Sequence, residues 1–209
     1  MAALQFKPTR MELSNLKKRR VVAVRGHKMM KDKRDELVRR FIGYARQNKD
    51  LRLEVEKKLS LAMKSFVLAR ATMSGDEIEE ALMYPARASE VQTGMQHVLS
   101  IKVPKLTMET QEGFAYPYGY ATTSADLDGA VQQLAEVLPL LLQLAEVEKT
   151  CGRLADEIEK TRRRVNALEY VMIPQFTDAI RQIQMKLDEN DRSTTTRLMK
   201  TKEMLANKQ

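Results

Sequence analysis

Apolar residues return every seven positions through the first part of the chain, at Leu16, Ala23, Met30, Leu37, Tyr44 and Leu51. Three places before each stand Leu13, Arg20, His27, Arg34, Phe41 and Asn48. One side of this seam is apolar throughout and the other is often polar. Such a heptad pattern predicts a helix that needs a partner helix, with the polar positions giving up stability to fix register. Its start is marked by Pro8 and by the capping-box sequence Thr9-x-x-Glu12. No proline follows before Ser74, and Gly75 is placed to act as a C-terminal stop. An unbroken helix over that stretch would be a rod of roughly 100 Å.

A second periodic run begins near Thr123 or Ser124 and continues to about Leu205. Val147, Cys151, Leu154, Ile158, Thr161, Val165, Leu168 and Met172 alternate by four and three. The steps from Met172 to Phe176 to Ile180 are a stutter, and Ile183, Leu187, Asn190, Thr194 and Leu198 continue the seam. Pro139 and Pro174 are each expected to kink the helix or free a carbonyl. Between the two runs the pattern changes. Residues 76–91 predict a short acidic helix or two. The β-branched His97–Leu106 stretch predicts a strand kept to an edge by Pro104. Residues 109–122, with Phe114, Tyr116, Tyr118 and Tyr120, supply a turn and a returning strand.

The expected fold is all-α: a long antiparallel two-helix coiled coil of the N- and C-terminal helices, with a small β-hairpin insertion in the middle. The expected division is 1–75 and 124–209 as the coiled coil and 76–123 as the insertion. Residue numbers facing each other across the seam are expected to add up to about 205–215, with both termini at one end.

Composition agrees with helices and narrows the chemistry. The 209 residues include no Trp, 8 Gly and 6 Pro, against 13 Met and 31% charged residues. Cys151 is the sole cysteine, so neither an intrachain disulfide nor a cysteine zinc cluster can form. His27 and His97 are far apart, and His27 reads as a seam or flank residue. The carboxylates stand at helical spacing beside Lys or Arg, as a solvated face does. No catalytic, cofactor or metal constellation is expected. The longest uninterrupted apolar run is Val137–Leu142, six residues where a membrane span needs roughly 20. With no apolar signal segment at the start, a soluble cytoplasmic protein is expected.

Charge is unevenly distributed. Residues 1–75 hold 20 Lys/Arg against 7 Asp/Glu, residues 76–125 hold 3 against 7, and residues 126–209 hold 13 against 14. The clusters Lys17-Lys18-Arg19-Arg20, Lys31-Asp-Lys-Arg34 and Arg162-Arg163-Arg164 could meet phosphates or an acidic protein face. Two readings stay open on the residues alone: a basic coiled-coil nucleic-acid-binding protein, and a coiled-coil flank docking into an acidic protein cavity. No aromatic platform for bases is interleaved with the clusters, which favours the second.

Particular stretches resemble a known family. Pro8-Thr-Arg-Met-Glu-Leu13, Leu16-Lys-Lys18, Arg25-Gly-His-Lys28 and Lys31 to Leu37 look like the N-terminal signature of the D subunit of V-type and archaeal A-type rotary ATPases. Ala145 to Thr150, Glu157-Ile-Glu-Lys-Thr-Arg-Arg-Arg-Val-Asn-Ala-Leu-Glu169 and Ile173-Pro174 are similar to its C-terminal signature. The resemblance implies a non-catalytic central-stalk rotor subunit. It would transmit torque between the A/B catalytic ring and ion translocation in the membrane sector, without a cofactor of its own. The implied partners are the F subunit of the central stalk, the A and B subunits, and the funnel-shaped subunit that joins the shaft to the membrane ring. Nucleic acid and direct membrane insertion are not implied, and the implied location is cytoplasmic, peripheral to the membrane. Candidate partner contacts are Arg10, Lys17, Lys18, Arg19, Arg20, Arg162, Arg163, Arg164, Asn166 and Glu169. The basic residues near both ends, Arg10 and Lys17–Arg20 with Arg197, Lys200 and Lys202, are expected to converge at one tip.

Overall fold

A computed structural model describes residues 7–84, 89–110, 116–119 and 123–207. In chain order the elements are α1 (Arg10–Thr72), α2 (Gly75–Leu82), β1 (Ser89–Val98), β2 (Ile101–Thr110), α3 (Ala125–Ala167), a π-helical turn (Leu168–Met172) and α4 (Ile173–Ala206). They form two compact units: residues up to Glu36 with those from Glu159 onward, and Leu37–Ile158.

The first unit is an antiparallel helix pair. Thr9 Oγ1 accepts the Glu12 N–H at 3.2 Å and so begins α1, while the Thr9 N–H goes to the Lys7 carbonyl. Leu16 is fully buried against Ala179, Ile180 and Ile183, with Leu13, Phe176 and Leu187 around them. Beyond Leu187 the described residues of α4 are exposed except for half-buried Ser193. Thr194, Thr195, Thr196 and Thr201 return their hydroxyls to the carbonyls four residues earlier, at 2.8–3.0 Å.

In the second unit α1 ends at Thr72, whose hydroxyl donates to the Ala69 carbonyl at 3.0 Å. Ser74 and Glu77 then form a reciprocal capping box that starts α2. Gly75 is therefore the first residue of a helix. It does not act as the expected stop, because the cap captures it before any left-handed turn is needed, and no described glycine has a positive φ. Ala69, Ala81 and Leu127 form the core here, joined by Phe66, Met73, Tyr118 and Val131.

The middle is a two-stranded antiparallel hairpin with Val98 opposite Ile101 and Ser89 opposite Thr110. Its turn is Leu99–Ser100, both left-handed at φ 48° and 70°. The stretch expected to be one strand is thus split by the turn. The first strand begins at Ser89, inside the 76–91 stretch expected to be helical. Two consecutive left-handed residues match the right-handed twist of a two-residue hairpin, and neither Leu nor Ser advertises that conformation. The part of the expected returning strand at 111–115 and 120–122, including Phe114 and Tyr120, lies outside the described residues.

The seam register is also corrected. Facing pairs include residues 10 and 191, 27 and 169, 48 and 151, and 65 and 133. Each partner lies at least one helical turn earlier in the C-terminal run than expected. The expected register would have set Leu16 against the polar residues from Glu189 onward. The observed one gives it Ile180 and Ile183, the last well-buried apolar positions of α4.

The two prolines behave differently. Pro139 sits inside α3, whereas Pro174 opens α4 directly after the π turn. A proline ring clashes with the carbonyl four residues back, and the wider π turn relieves that clash. No residue of this turn is buried.

Candidate interaction surfaces

In the first unit, Thr161 and Val165 are buried in the seam. Arg162, Arg163 and Arg164, lying between them, are exposed, as is Asn166. Arg163 is paired along its own helix with Glu159. Glu169, in the π turn, reaches across to His27, with Oε2 and Nε2 3.3 Å apart. Among the candidate residues, Glu169 thus bonds to the partner helix and the three arginines face outward.

Lys17, Lys18, Arg19 and Arg20 follow buried Leu16 and are all exposed. Arg20 stands at a predicted seam position but points to solvent, because the desolvation cost of a guanidinium exceeds what the seam returns. Arg10 donates to Asp191 at 3.0 Å, with both side chains well exposed. The structure does not bring the two ends' basic residues to one tip. Arg10 is level with Asp191, so Arg197, Lys200 and Lys202 project about 9–16 Å past that level. Nor do the two larger clusters merge. The His27–Glu169 tie lies between Lys17–Arg20 and Arg162–Arg164, which are about 20 Å apart along the axis.

The second unit presents a different surface. Leu134, Leu138 and Leu141 form an exposed stripe on α3, and Leu61, Met63, Val67 and Leu68 are exposed on α1. One 18-residue window within Ala125–Ala206 is long and apolar enough to cross a membrane by length and composition, and only 17% of it is buried. This qualifies the expectation from uninterrupted runs, because Glu136 and Gln143 interrupt the apolar sequence without dominating it. A cleft of about 530 Å³ lies between α2 and residues 117–119, lined by Glu77, Glu80, Met83 and Tyr118 among others. Tyr118 closes one side, donating its hydroxyl to Asp128 at 2.8 Å.

Cys151 faces Asn48 and is half-buried. Burial pushes its thiol above the ordinary value; the Asn48 hydrogen bond opposes the rise and nearby Glu148 adds to it. Among the described residues no group of three or more His, Cys, Asp or Glu side chains is arranged to hold a metal. Asp191, Glu146 and Asp128 are among the bonded residues that sequence reasoning missed. Each is an ordinary surface carboxylate by type, and only the tertiary register gives it a partner.

The surfaces define a class: a mainly helical protein whose outward chemistry is charged helix faces in one unit and exposed apolar stripes in the other. The family model for the ATP synthase D subunit matches residues 12–203. The V-type ATP synthase D subunit of Clostridium botulinum (strain Langeland / NCTC 10281 / Type F) is 55% identical over 210 residues, covering 99% of this chain and 97% of its own. That of Clostridium novyi (strain NT) is 52% identical over 213 residues, covering 100% and 99%. The chain belongs to the ATP synthase D-subunit family.

Proposed function

We propose that this chain is the non-catalytic rotor shaft of a V-type ATPase, carrying torque between nucleotide turnover in an A/B ring and ion movement in the membrane sector. The observation that supports this most is the paired-helix unit. Its seam buries Leu16, Ile180, Ile183, Thr161 and Val165 and is bridged by His27 and Glu169, while Lys17–Arg20 and Arg162–Arg164 face outward. Two interlocked helices resist twisting better than one. Exposed charges make weak, exchangeable contacts that tolerate a change of angle, as a shaft turning in a collar requires. In this reading the A and B subunits contact the basic helix pair at Arg10, Lys17–Arg20, Arg162–Arg164, Asn166 and Glu169. The apolar stripes of the second unit take the F subunit, and the funnel-shaped subunit completes the seat at the membrane ring. The coiled coil is taken as 1–75 with 124–209, and 76–123 as its insertion. The location is cytoplasmic and peripheral to the membrane.

The test is co-purification and ring assembly across a salt series. Wild type should travel with the F subunit and the A/B ring, with no preference for DNA over generic polyanions. Replacing Lys17, Lys18, Arg19 and Arg20 together by Glu should weaken assembly strongly, and wild-type assembly itself should fall with salt. Unchanged assembly of the Glu variant at low salt would sink the proposed contact.

A further inference from the structure

The hairpin is held to its unit by very little. Among its described residues only Val103 is buried. A two-stranded hairpin alone is marginal in water, and the left-handed Leu99–Ser100 turn strains it further. One side chain of α3 bonds to both strands. The Glu146 carboxylate accepts the Leu106 backbone N–H at 3.1 Å through Oε2 and the Gln96 side-chain amide at 3.4 Å through Oε1.

The pairing register explains why that acceptor matters. Ile101 and Val98 flank the two-residue turn as a hydrogen-bonded pair, and such pairs recur at every second residue. Leu106 therefore turns its N–H away from β1, on the free edge of β2. Pro104 occupies the same edge two residues earlier and has no N–H to satisfy. The edge is thus silent at 104 and capped by a carboxylate at 106, which protects a strand edge from pairing elsewhere. The backbone that carries the carboxylate is anchored. Val147 beside it is buried, and the Thr150 hydroxyl donates to the Glu146 main-chain carbonyl at 2.8 Å.

We propose that Glu146 is a latch, holding the hairpin down on α3 and masking the outer edge of β2. Its release frees the hairpin from α3 and exposes the Leu106 N–H to solvent. The idea does not depend on the rotor reading, because it concerns two states of one unit of the isolated chain.

The test is amide exchange in the full chain labelled with ¹⁵N-leucine, supported by peptide-level exchange. Glu146→Ala should speed exchange at Leu106 by about 10- to 100-fold, the range set by losing a charge-assisted hydrogen bond. Peptides covering residues 101–110 should follow, while those covering 16–36 and 173–187 keep wild-type rates. Glu146→Gln retains an oxygen acceptor without the charge and should give a smaller rise. Gln96→Ala, which removes only one donor, should also give a smaller rise. An unchanged Leu106 rate in Glu146→Ala overturns the latch. So does a rise spread evenly over the whole chain, since Glu146 would then be a general stabiliser of the fold.

Discussion

The two packed clusters stabilise helices in different ways. Around Leu16, the core is Ala179, Ile180 and Ile183, with Leu13, Phe176 and Leu187 packed against it, all from two helices. Around Ala69 the core is two alanines and Leu127, with Phe66, Met73 and Tyr118 filling the margin. Small residues there allow a third helix, α2, and the segment around Tyr118 to come close. The first cluster is a seam and the second a small three-layer core. A seam can be read from periodicity, whereas a core assembled from an alanine, a short helix and a loop tyrosine cannot.

The largest expected effect separates the two directly. Leu16→Ala removes a fully buried side chain and should cost about 2–5 kcal/mol. Leu127→Ala should cost a similar amount. If the clusters are independent, exchange in Leu16→Ala rises in residues 10–36 and 173–187 and stays unchanged around 66–82. Leu127→Ala should show the reverse. Equal rises in both places would show that the two regions unfold as one.

Next is the hairpin turn of the second unit. Ser100 has φ 70°, so Ser100→Gly should relieve strain and stabilise the hairpin by about 1 kcal/mol. Slower amide exchange in 89–110 would show it. A faster rate would mean that the serine side chain contributes more than the strain costs.

Smaller still is the Arg10–Asp191 pair. Both side chains are more than half exposed. Arg10→Ala should therefore lower thermal stability by no more than about 1 kcal/mol, and the difference should vanish in high salt. A larger, salt-insensitive loss would show that the first turn of α1 is held in a way the seam does not explain.

The last effect is one of rate. With its thiol pushed up by burial, Cys151 carries less thiolate at a given pH than a free cysteine. Alkylation at mildly alkaline pH should be correspondingly slow. Asn48→Ala removes the hydrogen bond that opposes the shift and should slow the thiolate-dependent step further. Faster alkylation of the variant would mean that Asn48 protects the sulfur by covering it.

The two long helices, their antiparallel pairing, a hairpin between them and the family were all legible in the residues alone. They follow from short-range signals: heptad spacing, the Thr9 cap, the β-branched run and the arginine-rich block ending at Glu169. The same spacing puts Leu16, Leu37, Leu154 and Val165 in the seam, where all four are buried. The register had to wait for packing in three dimensions. A heptad seam can slide by whole repeats, and the choice depends on which apolar residues of both helices meet at once. That choice set Arg10 beside Asp191, paired His27 with Glu169 and left the last turns of α4 without α1 alongside. Packing also fixed the hairpin turn at Leu99–Ser100 and the hold of Glu146 on Leu106. A carboxylate has no preferred partner in sequence. It acquires one when folding removes water from its side and brings a donor without another acceptor within reach.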